Sequence, residues 1–150
     1  MRKHGVLFVL LLVCVLFSGC GKGVKVSGKV SFSDGTPLDV GKVCFSDGNL
    51  TVYGTINEKG EYKMGVNTDG EGIPPGSYVV SIVNATKPDS RYMIKSEDDG
   101  DYPLDVTVID LKFSNGKTSG LTCEVKGSPT YDIKVEKPPA NYKPALPGSN

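Results

Sequence analysis

Apolar residues recur at every second position from Gly23 onward, and this period constrains the fold more than any other feature of the sequence. The first such run alternates apolar residues with Lys and Ser, and its apolar members are Val24, Val26, Val30 and Phe32. A period of two places these side chains on one face of a half-buried β-strand. Turn signals recur about every 8–12 residues and no helical period is sustained, so we predict an all-β fold, a seven- to eight-stranded antiparallel β-sandwich.

The other strand-like runs are separated by turns rich in Gly, Pro and Asn. They are Lys42–Phe45, Leu50–Ile56, Glu61–Val66, Ser77–Val83, Val106–Val108, Leu121–Val125 and Tyr131–Val135. Ser77–Val83 is apolar on both faces over part of its length, which is typical of a central strand. The last two runs are predicted to form a hairpin across Lys126–Pro129. Asn84–Pro103 is polar and without a period, so we predict a long irregular loop there.

The first twenty residues have the three parts of a secretory signal peptide. Arg2 and Lys3 precede an uncharged apolar run, Val6–Phe17, and the small residues Ser18 and Gly19 follow it. The apolar run is too short to span a bilayer comfortably, because a spanning helix needs ~20 apolar residues. We therefore predict that residues 1–19 are a signal peptide and that residues 20–23 are a short polar tether.

The segment Ser18-Gly19-Cys20 resembles the lipobox of bacterial lipoproteins, although Phe17 stands where that family prefers Leu. The resemblance implies cleavage before Cys20 and a diacylglycerol on its thiol. Each buried methylene contributes ~0.8 kcal/mol, so two or three acyl chains would anchor the protein firmly. It also implies a location on the cell membrane or outer membrane, facing the periplasm or the exterior. An ordinary secretory signal without a lipid is the alternative interpretation.

Charge and histidine content exclude several classes of function. Lys and Arg balance Asp and Glu in the full chain, and loss of Arg2 and Lys3 leaves the mature chain mildly acidic. The sequence has no basic stripe, so we do not expect nucleic-acid binding. His4 is the only histidine and lies in the signal peptide, which leaves no imidazole for a catalytic triad or a metal. We therefore predict no enzymatic activity and no cofactor.

Two cysteines, Cys44 and Cys123, remain after Cys14 leaves with the signal peptide and Cys20 takes the lipid. In an oxidising compartment such a pair suggests a disulfide. Strand parity points Cys123 inward and Cys44 toward the opposite face, and a bulge would be needed to bring them together. The sequence leaves this bridge open.

Acidic and aromatic side chains are the remaining candidates for binding. Asp98, Asp99 and Asp101 lie near Glu97 and could supply oxygen ligands to calcium, or could form a solvated acidic loop. No metal site is predicted from Cys and His spacing. Four tyrosines are candidates for stacking on sugars or for ordinary core and surface positions, and they are Tyr53, Tyr92, Tyr102 and Tyr142.

Four segments resemble, in the same order, the motifs of carboxypeptidase-regulatory-like, transthyretin-like modules. They are Gly28–Leu38, Gly41–Phe45, Thr55–Tyr62 and Gly72–Val80, with Asn57 in place of the usual Asp. A fifth segment, Lys117–Val125, is similar to a T-S-G-L segment of small lipoproteins of planctomycetes. The motif residues are those of turns and of core tyrosines, and none has chemistry that catalysis requires.

The resemblance implies a transthyretin-like β-sandwich, of the immunoglobulin-like prealbumin type, over residues 24–137. Residues 138–150 are rich in proline and lack a period, so we predict a disordered tail. We therefore expect a lipid-anchored module of the cell envelope, with a structural or protein-binding role and no catalysis. A module that binds a small ligand, carbohydrate or calcium, is the alternative. The expected partners are the membrane and an envelope protein or polysaccharide.

Overall fold

A computed structural model describes residues 23–96 and 100–146 and confirms the all-β prediction. The described residues form nine strands, β1 to β9 in chain order. Their bounds are Ser27–Phe32, Lys42–Ser46, Thr51–Thr55, Glu61–Lys63, Gly76–Val83, Thr86–Ile94, Tyr102–Thr107, Leu121–Val125 and Ile133–Val135. A 3-10 turn at Leu111–Ser114 and a single-turn helix at Gly116–Ser119, which we call α1, lie between β7 and β8.

The strands form two larger sheets and one two-stranded ribbon. The three-stranded sheet has the order β4-β1-β9, and the four-stranded sheet has the order β3-β2-β5-β8. As its apolar composition predicts, β5 is a central strand, paired antiparallel with both β2 and β8. The third sheet consists of β6 and β7 alone.

Both larger sheets bury their apolar faces in one hydrophobic core. The alternation on β1 is confirmed, because Val26, Val30 and Phe32 are all buried. The core side chains of the other sheet include Phe45 and Tyr78, whose ring centroids lie 5.8 Å apart. Burial of these aromatic and β-branched side chains is the main force that holds the two sheets together.

The prediction of an irregular loop at Asn84–Pro103 is wrong for most of its length. The segment contains β6 and the start of β7, which pair antiparallel with each other. The register shifts between Asp89 and Met93, so the period of two is interrupted by a bulge. Val106 is the only buried residue on the two strands, and the ribbon therefore lacks the apolar face by which a sequence pattern reveals a strand.

The predicted hairpin between the last two runs is also wrong. β8 pairs with β5, whereas β9 pairs parallel with β1 in the other sheet. The intervening Lys126–Pro129 therefore carries the chain from one sheet to the other. Alternation shows that a run is a strand, but the identity of its neighbour depends on long-range packing.

The disulfide between Cys44 and Cys123 is not formed, and both thiols are free and buried. Cys44 is paired in register with Ser81, whereas Cys123 is paired with Tyr78. Tyr78 and Ser81 are an odd number of positions apart on β5, so the two thiols lie on opposite faces of one sheet. They are also two strands apart, ~9.5 Å, which exceeds the reach of a disulfide.

Several sequence predictions lie outside the described residues. These are the signal peptide at 1–19, the lipid site Cys20, and the acidic residues Asp98 and Asp99. The tail is described as far as Leu146, and within it Pro138, Tyr142 and Pro144 are half-buried. None of the helices in the described part of the chain has the length and apolarity that crossing a bilayer requires.

Candidate functional site

The first motif, Gly28–Leu38, forms β1 and the turn that follows it. The Asp34 carboxylate accepts a hydrogen bond from the Thr36 backbone N–H at 2.9 Å, and Gly35 has a φ of 87°, which favours glycine. After the turn, the Leu38 N–H donates to the Val30 carbonyl at 3.0 Å, and Leu38 is fully buried. The motif therefore folds the chain back against its own strand.

The third motif contains the turn between β3 and β4. The Asn57 side-chain oxygen accepts hydrogen bonds from the N–H groups of Lys59 and Glu61, so Asn57 holds this turn together. Gly60 has a φ of 78°, and an added Cβ there would lie 2.5 Å from the Val30 carbonyl oxygen. Two motifs that are distant in sequence are thus in contact with each other, and this contact stabilises the fold.

The motif tyrosines connect buried strands to nearby carbonyl groups. The Tyr62 hydroxyl donates to the Tyr131 carbonyl at 2.6 Å, and the Tyr78 hydroxyl donates to the Pro74 carbonyl at 2.9 Å. Burial raises the pKa of both phenols. Both tyrosines are therefore structural, as their place in the motifs indicates.

The T-S-G-L segment attaches α1 to the four-stranded sheet. The Ser119 hydroxyl donates to the Val80 carbonyl at 2.5 Å and accepts from the Leu121 N–H at 3.2 Å. Asn115 caps the helix by accepting from the Lys117 N–H, and Gly120, with a φ of 67°, ends it. This motif also has a structural role, and it brings α1 over the outer face of β5.

Two grooves on the surface remain as candidates for binding. The first, which we call the ribbon groove, has a volume of about 570 Å³ and lies between β6, the end of β1 and the C-terminal segment. Its lining includes Phe32, Lys87, Arg91, Tyr92, Lys137 and Tyr142. Sequence reasoning selected only the two tyrosines, because the other residues converge through tertiary structure.

Each of the three cations of the ribbon groove has an acidic partner. Lys87 pairs with Asp39 at 2.6 Å, and Arg91 forms a fork with Asp89 that closes the bulge of β6. Lys137 pairs with Asp34 at 3.2 Å and lies over the Phe32 ring. Hydrogen bonds from Thr36 and then from Lys137 lower the pKa of Asp34 to about 2. These ion pairs are exposed and therefore weak, so a partner could exchange them.

The second candidate, which we call the sheet groove, has a volume of about 720 Å³ and lies on the outer face of the four-stranded sheet. Its floor is formed by Ser77, Val79 and Ser81 of β5, with Thr122 of β8 beside them. Asn115, Gly116 and Lys117 form one wall. An added Cβ at Gly116 would lie 2.9 Å from a Val79 methyl group, so glycine permits this close approach. Sequence reasoning missed this groove, because small polar residues on an outer strand face are common.

The remaining candidates are not brought together. Among the described residues, no three acidic, Cys or His side chains cluster as metal ligands would. Asp101 is exposed, and its predicted calcium partners lie in the part of the chain that is not described. The four candidate tyrosines lie in two different environments. Tyr92 and Tyr142 are half-buried in the ribbon groove, whereas Tyr53 and Tyr102 are exposed.

Comparisons with family models, with curated proteins and with solved structures find no match to this chain. The fold itself defines the class, an all-β protein of two larger open sheets and a ribbon.

Proposed function

We propose that this chain is a lipid-anchored, non-catalytic module of the bacterial cell envelope that binds a protein partner through its β6–β7 ribbon. The single observation that carries this proposal is the separation between Gly23, the first described residue, and the ribbon. Gly23 lies against Gly72, and the Val24 N–H donates to the Ile73 carbonyl at 2.7 Å, just before β5 begins. The ribbon follows the other end of β5.

This arrangement gives the molecule a direction relative to a lipid at Cys20. Cys20 precedes Gly23 by a short tether, so an acyl group there would hold the start of β5 near the bilayer. The eight residues of β5 span ~26 Å. The ribbon and the ribbon groove would therefore point away from the membrane, where an envelope partner can reach them. Met93 and Tyr102 are exposed on the outer half of the ribbon, and both residue types are enriched at interfaces.

We also propose that the two larger sheets form a transthyretin-like sandwich. The support is their shared core and the agreement of the motif residues with turns and core positions. The parallel pairing of β9 with β1 departs from a purely antiparallel arrangement. The assignment of a binding role rests on exposed side chains rather than on the fold.

The lipid anchor is tested by metabolic labelling with an alkyne analogue of palmitate. We expect wild type and Cys14→Ser to retain the label and Cys20→Ser to lose it, because only Cys20 would carry the acyl chains. Cys14→Ser is the matched control, since this cysteine also lies in the first twenty residues. Label retained by Cys20→Ser would contradict the proposal.

The binding role is tested by photo-crosslinking in intact envelopes. A photoreactive phenylalanine analogue replaces Tyr102 on the ribbon or, as a control, Tyr53 on the four-stranded sheet. Both tyrosines are about half exposed, so the two sites are comparable. We expect a discrete protein adduct from position 102 alone. Identical adducts from both positions, or none from position 102, would exclude the ribbon as the binding element.

A further inference from the structure

The Ser81 side chain is mostly buried, and its hydroxyl has no hydrogen-bond partner among the described residues. Ser81 is only 7% exposed, and its hydroxyl forms no hydrogen bond with any residue that the structure describes. By contrast Ser119, which is similarly buried, both donates and accepts a hydrogen bond. No sealed side-chain polar atom in residues 23–96 and 100–146 lacks a partner, so the Ser81 hydroxyl must reach the sheet groove. Its hydrogen-bonding capacity is therefore available to water or to a ligand in the groove.

The rest of the lining offers both hydrogen-bonding groups and one apolar surface. Ser77 and Thr122 carry hydroxyls that form no hydrogen bonds within the described chain, and register places them on the face that bears Ser81. The Asn115 oxygen caps α1, which leaves its amide N–H groups for a ligand. Val79 lies between these residues and is 42% exposed.

This combination selects one chemical class of ligand. Hydroxyls that both donate and accept, placed around a single aliphatic side chain, match a sugar ring, which has hydroxyls at its edge and C–H groups on its faces. The volume of about 720 Å³ lies within the range of small-molecule sites. Asp47 and Glu124 at the rim disfavour an anion, and the Lys117 ammonium, which has no ion pair among the described residues, disfavours a cation.

We propose that the sheet groove binds a short neutral saccharide, with the ring on Val79 and its hydroxyls on Ser81, Ser77 and Thr122. The described lining of this groove includes no residue of β6 or β7, so the saccharide proposal stands or fails independently of the proposed function. The ligand occupies the groove beside α1 and gives the Ser81 hydroxyl a hydrogen-bond partner.

The test uses the full-length protein, as the expressing cell processes it, in a zwitterionic detergent free of sugar groups. It is applied to an array of neutral and acidic mono- and disaccharides that includes cellobiose, maltose and N,N′-diacetylchitobiose. Affinities for the sugars retained are then measured by calorimetry. We expect at least one neutral sugar to bind with saturation. Failure of every neutral sugar, or binding of acidic sugars alone, would overturn the proposal.

Variants then locate the site. We expect Ser81→Ala and Thr122→Val each to weaken binding by about fivefold or more, the effect of losing one hydrogen bond. Thr55→Val is the matched control, because Thr55 lies on the same sheet face at its other edge and does not line the groove. Its affinity should stay at the wild-type value. Equal losses in Thr55→Val and Thr122→Val, with unchanged melting temperatures, would overturn the assignment of the groove.

Discussion

Gly28 lies on the buried face of β1, where the backbone of a neighbouring segment comes unusually close. An added Cβ would lie 2.0 Å from the Tyr131 carbonyl oxygen and 3.0 Å from the Tyr62 ring. The Tyr62 hydroxyl donates to the same carbonyl, so one residue without a side chain permits both the approach and the hydrogen bond. Glycine at position 28 is thus explained by this close contact between segments rather than by a turn.

We expect Gly28→Ala to lower the free energy of unfolding by at least ~1–3 kcal/mol, because the backbone must move to admit the methyl group. Lys29→Ala is the control, since Lys29 is exposed on the opposite face and its N–H, which donates to Asp132, is retained. The control should stay within ~0.5 kcal/mol of wild type. Urea unfolding measures both variants, and equal stability of Gly28→Ala and wild type would contradict the close contact.

We expect Tyr62→Phe to destabilise the protein by ~1 kcal/mol, because the Tyr131 carbonyl loses its buried donor while the ring remains. Tyr53→Phe removes a hydroxyl from a half-exposed tyrosine and should have almost no effect. Thermal unfolding of the two variants compares them directly. Equal stability of Tyr62→Phe and wild type would contradict a stabilising role of this hydrogen bond.

At the scale of the elements, the ribbon carries features that keep the edges of its strands from pairing with another strand. On β6 and β7, Pro88 and Pro103 cannot donate to an added strand, and the bulge interrupts the edge of β6. The outer edges of the ribbon are thus partly blocked, so we expect partners to bind its side chains rather than add a strand.

The short helix α1 depends on the Ser119 side chain. We expect Ser119→Ala to lower the free energy of unfolding by ~1–3 kcal/mol, because the Val80 carbonyl on a central strand loses its donor. Ser90→Ala, in the exposed bulge of β6, is the matched control and should be nearly neutral. Chemical unfolding measures the difference. Equal effects of the two substitutions would contradict the proposed attachment of α1.

The junction between the Asp34 turn and the C-terminal segment is expected to depend on pH. The pKa of Asp34 is lowered from 3.8 to about 2, so the folded protein favours the ionised carboxylate. Its contribution to stability is therefore complete above about pH 4 and is lost as the pH falls toward about 2. Asp34→Asn keeps the turn acceptor but removes the ion pair with Lys137.

We therefore expect the difference in urea midpoint between wild type and Asp34→Asn to be constant above about pH 4 and to shrink toward pH 2. Asp105→Asn, at an exposed ribbon position without an ion pair among the described residues, should show no such trend. A difference that grows on acidification would have the wrong sign and would exclude the ion pair as its source.

At the scale of the whole molecule, the state of the two thiols tests the order of the strands in the four-stranded sheet. Because Cys44 and Cys123 lie on opposite faces of one sheet, we expect a reductant to leave the melting temperature unchanged. Alkylation of the unfolded, unreduced protein should modify both residues, as mass spectrometry would show. A melting temperature that falls on reduction would mean that β2, β5 and β8 are arranged differently.

Local signals in the sequence were sufficient to identify β1, the central position of β5 and the motif turns. The buried residues Val26, Val30 and Phe32 follow a period of two along the strand. The turn at Asp34 is closed by a hydrogen bond between residues two positions apart. The hydrophobic period of a strand and the residue preferences of a turn both depend on only a few neighbouring residues. They can therefore be recognised without knowledge of the fold.

The tertiary structure alone decided which strands are neighbours and therefore where the surface sites lie. The parallel pairing of β9 with β1 joins strands distant in sequence. The sheet groove likewise brings Ser81 together with the residues around α1. Alternation assigns a side chain to a face, but it does not identify the strand beside it or the loop above it. Those choices depend on how both larger sheets bury their apolar faces together, which is a property of the whole chain.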